Sequence, residues 1–218
     1  MDMKSFLIIG MGRFGGYLCR YLAERDCEIM IVDEDEAKVE ELMHLATTAR
    51  IADCRRRDVL ETFDVAAYDA CIVCIGEDFQ SSLEITDLLR ELGAQKVVSM
   101  ASSESQARLL RRIGAHRIIF PEKDTAERMA VSIADDRIFE YFEMSGGCSM
   151  YEITAPRRWL GHTIVEINVR VHHGVNIAAV RRRNGEIDVP GADYVFCEDE
   201  HLWVIGKEEQ VEKLLRHA

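Results

Sequence analysis

A glycine-rich loop, set between a short apolar strand and an amphipathic helix, constrains this chain more than any other feature. The loop has the pattern G-x-G-x-x-G and consists of Gly10, Met11, Gly12, Arg13, Phe14 and Gly15. In such a loop the first glycine permits a tight turn, the second lets the backbone approach a diphosphate, and the third lets the helix pack closely on the strand. Phosphate binds at such a helix N-terminus because free N–H groups point outward there. The loop therefore predicts a nucleotide site.

An acidic residue ends the next apolar run, at 27–32. Asp33 follows Gly15 at close to the spacing of about 20 residues expected for the acid that binds ribose hydroxyls. A carboxylate at this point repels a 2′-phosphate, so the predicted ligand is NAD(H) or an adenine nucleotide and not NADP. The alternative is a glycine turn followed by an acid at this spacing by chance.

The order of apolar segments predicts the fold class. Six short apolar runs alternate with helical patterns, at 5–9, 27–32, 47–52, 70–75, 96–100 and 117–120. This alternation predicts an α/β domain over residues 1–142, with a Rossmann-like, doubly wound parallel sheet. Short strands at 150–154, 175–180 and 201–205 and a helix at 208–215 then predict a small α+β domain over residues 143–218. Ser145-Gly146-Gly147 is the predicted linker.

Three more residues of the first domain are candidate ligand contacts. Arg13 carries a charge that can pair with a terminal phosphate; the alternative is a solvated arginine on the first helical turn. Gly76 follows the fourth strand, where the backbone either approaches a ligand or simply turns into the next helix. Glu122 lies at the carboxyl edge of the sheet, where ligands bind in open α/β folds, and would act on phosphates through a cation. The alternative for Glu122 is an acid that favours the dipole of the following helix.

The charge balance excludes several function classes. The chain has 27 Lys and Arg against 39 Asp and Glu, a formal net charge of −12, which disfavours nucleic acid and anionic lipid as partners. The apolar runs are too short for a signal-peptide core or a membrane span, so a cytoplasmic protein without direct membrane insertion is expected. Cys71 and Cys74 form a C-x-x-C pattern, but positions i and i+3 of a strand face opposite sides. We therefore expect reduced core thiols and not a metal or redox pair.

Two other functions are compatible with the glycine loop. An NAD-dependent oxidoreductase would need an acid–base pair placed for hydride transfer, and the sequence pattern after the sheet indicates none. A redox-sensing DNA-binding regulator would need a winged helix, whereas the second domain is rich in strands and the chain is acidic. The arginine runs at 55–57 and 181–183 are interpreted as solvated, the second of them beside a hairpin turn at Asn184-Gly185.

The motifs resemble those of the RCK family, the TrkA- and KtrA-type regulators of potassium transport. The resemblance rests on the glycine loop, on the segment from Ile113 to Lys123, and on three segments of the second half, at 160–170, 174–177 and 202–206. It covers nearly the whole chain. It implies a cytoplasmic regulatory subunit that forms homodimers and octameric rings at the inner face of the membrane. Such a ring would gate a potassium-translocating subunit of Trk or Ktr type by a ligand-dependent conformational change.

The resemblance also implies a ligand and a role for particular residues. The ligand would be ATP or ADP, or NAD(H). Arg13 would lie near the terminal phosphate, Asp33 would bind the ribose, and Asp53 would lie beside the adenosine. Glu122 would lie near the phosphates and a bound divalent or monovalent cation, across the dimer interface, and a helix at 124–136 would cross between subunits. In some relatives the C-terminal domain binds cyclic di-AMP, and the comparable residues here are Asn168, Arg170, Asn176 and Pro190.

Two positions depart from the pattern of the family. Met100 ends the fifth strand, where relatives often have a basic residue that helps to neutralise phosphates. This difference argues against tight binding of a triphosphate. Glu200 precedes the last strand, where relatives usually have aspartate.

Overall fold

The computed structural model describes residues 3–216, except for the side chain of Ser145. Residues 1, 2, 217 and 218 of the predicted domains lie outside the described residues. The chain forms two compact units that divide between Glu122 and Lys123. The predicted domain boundary after residue 142 stays a prediction, since it assigns the segment 123–142 to the first domain.

The first unit is a six-stranded parallel sheet with helices between the strands, as the sequence predicts. Its strands are β1 (Lys4–Ile9), β2 (Cys27–Asp33), β3 (Thr48–Ile51), β4 (Ala70–Val73), β5 (Val97–Met100) and β6 (Arg117–Ile119). Its helices are α1 (Arg13–Ala23), α2 (Glu36–Leu42), α3 (Arg57–Glu61), α4 (Phe79–Glu91) and α5 (Glu104–Arg112). The strand order is β3-β2-β1-β4-β5-β6, so the chain reverses direction across the sheet next to β1. This order is that of a Rossmann-type fold, whose ligands bind at the carboxyl ends of the strands near that reversal.

Both faces of the sheet carry buried side chains, as expected for a parallel sheet covered by helices. Along β1, Leu7 and Ile9 enter one apolar core, whereas Ile8 enters the core on the opposite face. The helices begin at polar caps that the sequence supplies. For example, the Asp78 side chain accepts a hydrogen bond from the Ser81 N–H at the start of α4.

Cys71 and Cys74 are buried on opposite faces of the sheet, which confirms the prediction made from their spacing. Both are free thiols. Burial raises the pKa of each to about 12, so both thiols stay protonated at neutral pH. They therefore pack as small apolar side chains.

The second unit contains a five-stranded antiparallel sheet in the order β10-β9-β11-β8-β7. Its elements are α6 (Pro121–Ala134, of which the first two residues belong to the first unit), β7 (Ile138–Glu143), β8 (Cys148–Thr154), α7 (Ile164–Ile167), α8 (Val169–His173), β9 (Asn176–Arg181), β10 (Ile187–Asp188), β11 (His201–Lys207) and α9 (Glu208–Arg216). One face of the sheet packs against helices in a core that includes Ile153, Trp159, Leu202 and Leu214.

The second sheet is larger than the three strands given from the sequence, because β7 also joins it and the predicted hairpin adds the short strand β10. Strand β7 pairs with β8, so the predicted linker Ser145-Gly146-Gly147 is instead the turn of a hairpin. A register shift between Ile138 and Glu140 interrupts the alternation of apolar and polar residues in β7. That interruption explains why the strand is not evident in the sequence. The hairpin predicted at Asn184-Gly185 is present and joins β9 to β10.

Helix α6 has no buried side chain among its described residues. Val131 contacts the core of the second unit, whereas Met129 and Ile133 are 59% and 69% exposed. Met129 and Ile133 lie four residues apart on one face of this 14-residue helix, so they form an exposed apolar stripe. Among residues 3–216, every helix is too short or too polar to cross a lipid bilayer.

Candidate functional site

The glycine loop follows β1 and opens α1 at the carboxyl edge of the first sheet. Gly10 adopts a φ of +94°, which favours glycine, and its N–H donates to the carbonyl of Val32 on β2 at 2.8 Å. A Cβ placed on Gly15 would lie 2.0 Å from the Gly10 carbonyl oxygen, so only glycine lets α1 pack so close to the loop. A Cβ on Gly12 would meet no atom within 4 Å. The loop is therefore tightly packed at both ends and open at Gly12.

Gly12 is also the N-cap of α1, and no side chain caps this helix. The first N–H groups of an α-helix have no partner within the helix, and they carry the positive end of the helix dipole. No acidic residue lies in the first turn of α1. The open space at Gly12 and these N–H groups form a cradle that fits a phosphate group.

Asp33 is the last residue of β2 and contacts the glycine loop directly. Its Oδ2 accepts a hydrogen bond from the Met11 N–H at 2.6 Å, and its Oδ1 accepts one from the Asp35 N–H at 2.9 Å. The β1–β2 register, in which Ile9 pairs with Val32, explains this proximity. Each carboxylate oxygen keeps a free lone pair, so Asp33 can still accept hydrogen bonds from ribose hydroxyls.

Asp53 lies beyond the end of β3, next to β2 in the sheet. Arg55 donates to both of its oxygens, from Nε to Oδ1 at 2.8 Å and from Nη2 to Oδ2 at 2.9 Å. These hydrogen bonds lower the pKa of Asp53, which stays ionised at neutral pH. Between the two residues, burial raises the pKa of Cys54 to about 12, with a further rise from the nearby charges of Asp53 and Asp33. The structure thus brings together two predicted site residues, Asp33 and Asp53, with a buried thiol between them.

Arg55 forms ion pairs beside the predicted site that the sequence does not reveal. The run 55–57 is predicted to be solvated, yet Arg55 pairs with Asp53 and also donates to Glu34 Oε2 at 3.1 Å. The available signal is the D-x-R spacing directly after a strand, which lets an arginine reach back to an acid two residues earlier.

Gly76 follows β4 and is packed against the end of β5. A Cβ on Gly76 would lie 2.4 Å from Met100 Cε, and the Ser102 hydroxyl donates to the Gly76 carbonyl at 2.9 Å. The Met100 side chain is buried. The absence of a side chain at Gly76 therefore makes room for Met100, a contact that neither alternative from the sequence includes.

Arg13 and Glu122 are both exposed, at the starts of α1 and α6. In the part of the chain that the structure describes, neither side chain forms an ion pair. Both are thus available to an added ligand.

The four residues considered for a second ligand lie in the second unit. Asn168 adopts a left-handed conformation between α7 and α8, and Arg170 Nη2 donates to Asn176 Oδ1 at 2.6 Å. Pro190 lines a cavity of about 280 Å³ together with Arg182, Asp188 and Tyr194. Arg170 and Asn176 are thus in direct contact, whereas Pro190 lines a separate cavity.

A buried carboxylate is the second feature that the sequence does not reveal. Glu152 on β8 has no exposed surface, and Arg181 Nη2 lies 3.0 Å from its Oε2. His201 Nδ1 lies 2.9 Å from its Oε1, and the His201 ring stacks on Phe139. The arginine run 181–183, interpreted as solvated, therefore includes one arginine that is paired with a fully buried acid. This pairing joins β8, β9 and β11 and is structural.

Comparisons with known proteins agree with this architecture. The TrkA-N domain model matches residues 6–121, and the TrkA-C domain model matches residues 148–218. The chain is 37% identical over 203 residues to Ktr system potassium uptake protein C of Bacillus subtilis (strain 168), covering 93% of this chain and 92% of that protein. It is 31% identical to Ktr system potassium uptake protein A of the same organism, covering 96% and 95% of the two chains.

Solved structures with a similar fold include two of the GsuK channel. The GsuK channel superimposes with a TM-score of 0.73 at 19% identity, and the GsuK channel bound to NAD with a TM-score of 0.70 at 20% identity. Each match covers 99% of this chain but 39% of the channel chain, so this chain spans less than half of the channel's length. These likenesses show the shared fold.

Since one domain model matches more than half of the chain and the sequence relatives match almost all of it, the chain belongs to the TrkA/KtrA-type family of potassium-uptake regulators, which are not enzymes.

Proposed function

We propose that this chain is the regulatory subunit of a potassium-uptake system and senses an adenine nucleotide at the carboxyl edge of its first sheet. The observation that carries the proposal is the hydrogen bond from the Met11 N–H to Asp33 Oδ2, because it fixes a ribose acceptor beside a phosphate cradle that is open at Gly12. The two Bacillus relatives support a role in potassium uptake, since both are named as potassium uptake proteins.

The nucleotide would lie across three neighbouring strand ends. Its diphosphate would contact the backbone of the loop from Gly10 through Phe14 to Gly15, and its ribose hydroxyls would bind Asp33. The adenosine would extend toward Asp53, past the end of β3. ATP, ADP and NAD(H) share this adenosine diphosphate part. One solved structure of GsuK is bound to NAD and another to ADP, which is consistent with these ligands.

Discrimination between ATP and ADP would depend on the terminal phosphate. Arg13 is the exposed cation closest in sequence to the cradle, and Glu122 would act through a divalent or monovalent cation held with the phosphates. The end of β5 supplies no charge, since Met100 is buried against Gly76. Only Arg13 and the cation would then neutralise the third phosphate of ATP. Without the cation, the site would bind ADP or NAD(H) more tightly than ATP.

Gating requires a ligand that binds one conformation better than another. We propose that residues 1–142, including α6, form the nucleotide-binding domain, and that residues 143–218 form the C-terminal domain. The exposed stripe with Met129 and Ile133 supports a homodimer through α6, from which an octameric ring would assemble. The ring would bind a Trk- or Ktr-type translocating subunit and so lie at the inner face of the membrane.

A second ligand of the C-terminal domain is a further part of the proposal. Arg170, held by Asn176, offers a guanidinium for a phosphate, and Asn168 lies at the start of the same helix. Cyclic di-AMP is the ligand that these residues and Pro190 would bind, with two copies of the domain contributing to one site.

The test is a thermal-shift titration of the purified chain with ATP, ADP, NAD, NADH and cyclic di-AMP. A ligand at 100 times its dissociation constant adds about 2.7 kcal/mol to the free energy of unfolding, which is readily measured. We expect a shift with ATP, ADP or NAD(H), whereas NADPH, titrated as a control, should give none because of its 2′-phosphate. A chain that shows no shift with any nucleotide contradicts the proposal. Potassium uptake by a deficient bacterial strain, measured with and without this chain beside its translocating subunit, tests the gating role.

A further inference from the structure

The guanidinium of Arg55 is fixed along its edge by two carboxylates. Its Nε and Nη2 donate to the two oxygens of Asp53, and Nη2 also donates to Glu34 Oε2 at 3.1 Å. A planar group held at two corners cannot rotate freely, so the plane of the guanidinium has a defined orientation. The side chain is nevertheless 42% exposed. A guanidinium donates hydrogen bonds only in its own plane, so these hydrogen bonds do not occupy its two faces.

Arg55 also lies where the base of a bound nucleotide would extend. The strand order β3-β2-β1 places the end of β3 on the far side of Asp33 from the glycine loop. Glu34, which contacts Arg55, directly follows Asp33. Asp78, beyond β4, interacts electrostatically with Arg55. A nucleotide with its phosphates on the loop and its ribose on Asp33 therefore directs its base toward Arg55.

The charges around Arg55 determine what kind of group it can bind. Its edge is already paired with Asp53 and Glu34, and Asp78 adds a third negative charge nearby. A phosphate group would meet these three carboxylates and be repelled. A neutral aromatic base has no such cost, and it stacks on the face of a guanidinium whose edge is hydrogen-bonded.

We propose that Arg55 is a base-stacking residue that strengthens the binding of a nucleotide at this site through its base. The inference rests on the proposed function, since it requires a nucleotide on the glycine loop. Arg55 contributes contact with the base through its plane, and Asp53 and Glu34 hold that plane in position. Its positive charge alone is not sufficient, because lysine would neutralise the same acids without offering a flat face.

Calorimetric titration of the full chain with ADP and with ribose 5-diphosphate, which lacks the base, tests this role. Wild type is compared with Arg55→Lys and Arg55→Ala. Arg56→Ala is the matched control, because Arg56 is the next exposed arginine and pairs with Asp58 instead. We expect both Arg55 variants to bind ADP about 3- to 30-fold more weakly, with unchanged affinity for ribose 5-diphosphate. Arg56→Ala should bind both ligands as wild type does.

Three outcomes would overturn the role. Arg55→Lys that binds ADP as tightly as wild type would show that charge is sufficient. An equal loss of affinity for ADP and for ribose 5-diphosphate would show that Arg55 acts on the phosphates or ribose. A wild-type chain that binds ribose 5-diphosphate as tightly as ADP would show that the base makes no contact. Wild type that binds neither ligand would instead contradict the proposed function itself, so the two failures are distinguishable.

Discussion

The main-chain N–H of Met11 donates to Asp33 Oδ2 at 2.6 Å, which links the glycine loop to the end of β2. A second N–H, from Asp35, occupies the other carboxylate oxygen. Charge-assisted hydrogen bonds of this kind are stronger than neutral ones, so they hold the acid in place before any ligand arrives. The acid and the phosphate cradle therefore form one preorganised unit.

Asp33→Asn should weaken ADP binding by about 10-fold or more. The amide keeps a similar size but loses the charge and one acceptor, and hydrogen bonds to charged groups contribute about 1.5–3 kcal/mol. Isothermal titration calorimetry measures the change. Asp35→Asn is the control, since asparagine also caps α2 and Asp33 is left intact. Equal affinities in wild type and Asp33→Asn would exclude Asp33 from the site.

Substitutions at two glycines of the loop should separate folding from binding. Gly15→Ala would push a Cβ to 2.0 Å from the Gly10 carbonyl oxygen, and we expect a loss of about 1–3 kcal/mol in the free energy of unfolding. Gly12→Ala adds a Cβ in open space, so stability should change by less than about 1 kcal/mol. Its methyl group would still occupy the phosphate cradle and abolish tight ADP binding. Chemical denaturation and calorimetry together check both results, and an unimpaired Gly12→Ala would exclude phosphate from this position.

The buried thiols predict that the free energy of unfolding depends on pH. Burial raises the pKa of Cys54, Cys71 and Cys74 to about 12 in the folded chain, against about 8.5 when unfolded. A raised thiol pKa adds to the free energy of unfolding, and this contribution is fully present below the unfolded-state pKa of about 8.5. It is lost as the pH rises from about 8.5 toward 12. At pH 8 a thiol reagent should react quickly with the exposed Cys197, and with the four buried thiols, the three above and Cys19, only after denaturant is added. Fast reaction of all thiols in the native chain would contradict the burial.

Removal of Arg181 should destabilise the second unit strongly. Arg181→Ala removes the half-exposed guanidinium beside the fully buried Glu152, which keeps His201, and should cost about 1–3 kcal/mol. Arg183→Ala, two residues away, breaks an exposed pair with Asp199 and should cost less than about 1 kcal/mol. Both tryptophans of the chain, Trp159 and Trp203, lie in the second unit, so their fluorescence in urea reports on this unit. Similar costs for the two variants would mean that Glu152 is solvated.

The exposed stripe of α6 predicts the effect of added charge on assembly. Ile133→Asp would place a carboxylate in the proposed dimer interface and should convert dimers to monomers in size-exclusion chromatography with light scattering. Ala134→Asp is the control, since the next residue is exposed but points about 100° away around the helix. A wild-type chain that is monomeric at all concentrations would exclude the interface.

The sequence predicts the first sheet well because each of its strands can be recognised from a few consecutive residues. Each strand of a parallel sheet is a continuous apolar run, and the carboxyl ends of all strands meet at one edge. The proximity of Asp33 to the glycine loop follows from this geometry alone. Cys71 and Cys74 face opposite sides for a similarly local reason, the period of two along a strand.

The features that the sequence does not reveal depend on distant partners or broken patterns. Arg181 pairs with Glu152, which comes 29 residues earlier in the chain, and only the register of the second sheet brings them together. Strand β7 is interrupted by a register shift, so its alternation is lost. Arg55 lies in an arginine run that resembles a solvated surface, and it pairs with Glu34 from the neighbouring strand end.

The most direct test of nucleotide sensing is the pair of dissociation constants for ATP and ADP, measured by calorimetry with and without Mg²⁺, in wild type and Arg13→Ala. A ligand shifts a conformational equilibrium only by its differential affinity for the two conformations, so ATP and ADP can act differently only through contacts with the terminal phosphate, where they differ. We predict that wild type binds both with unequal constants and that Arg13→Ala reduces the ratio between them. Equal constants in wild type, or no binding of either nucleotide, would contradict the account.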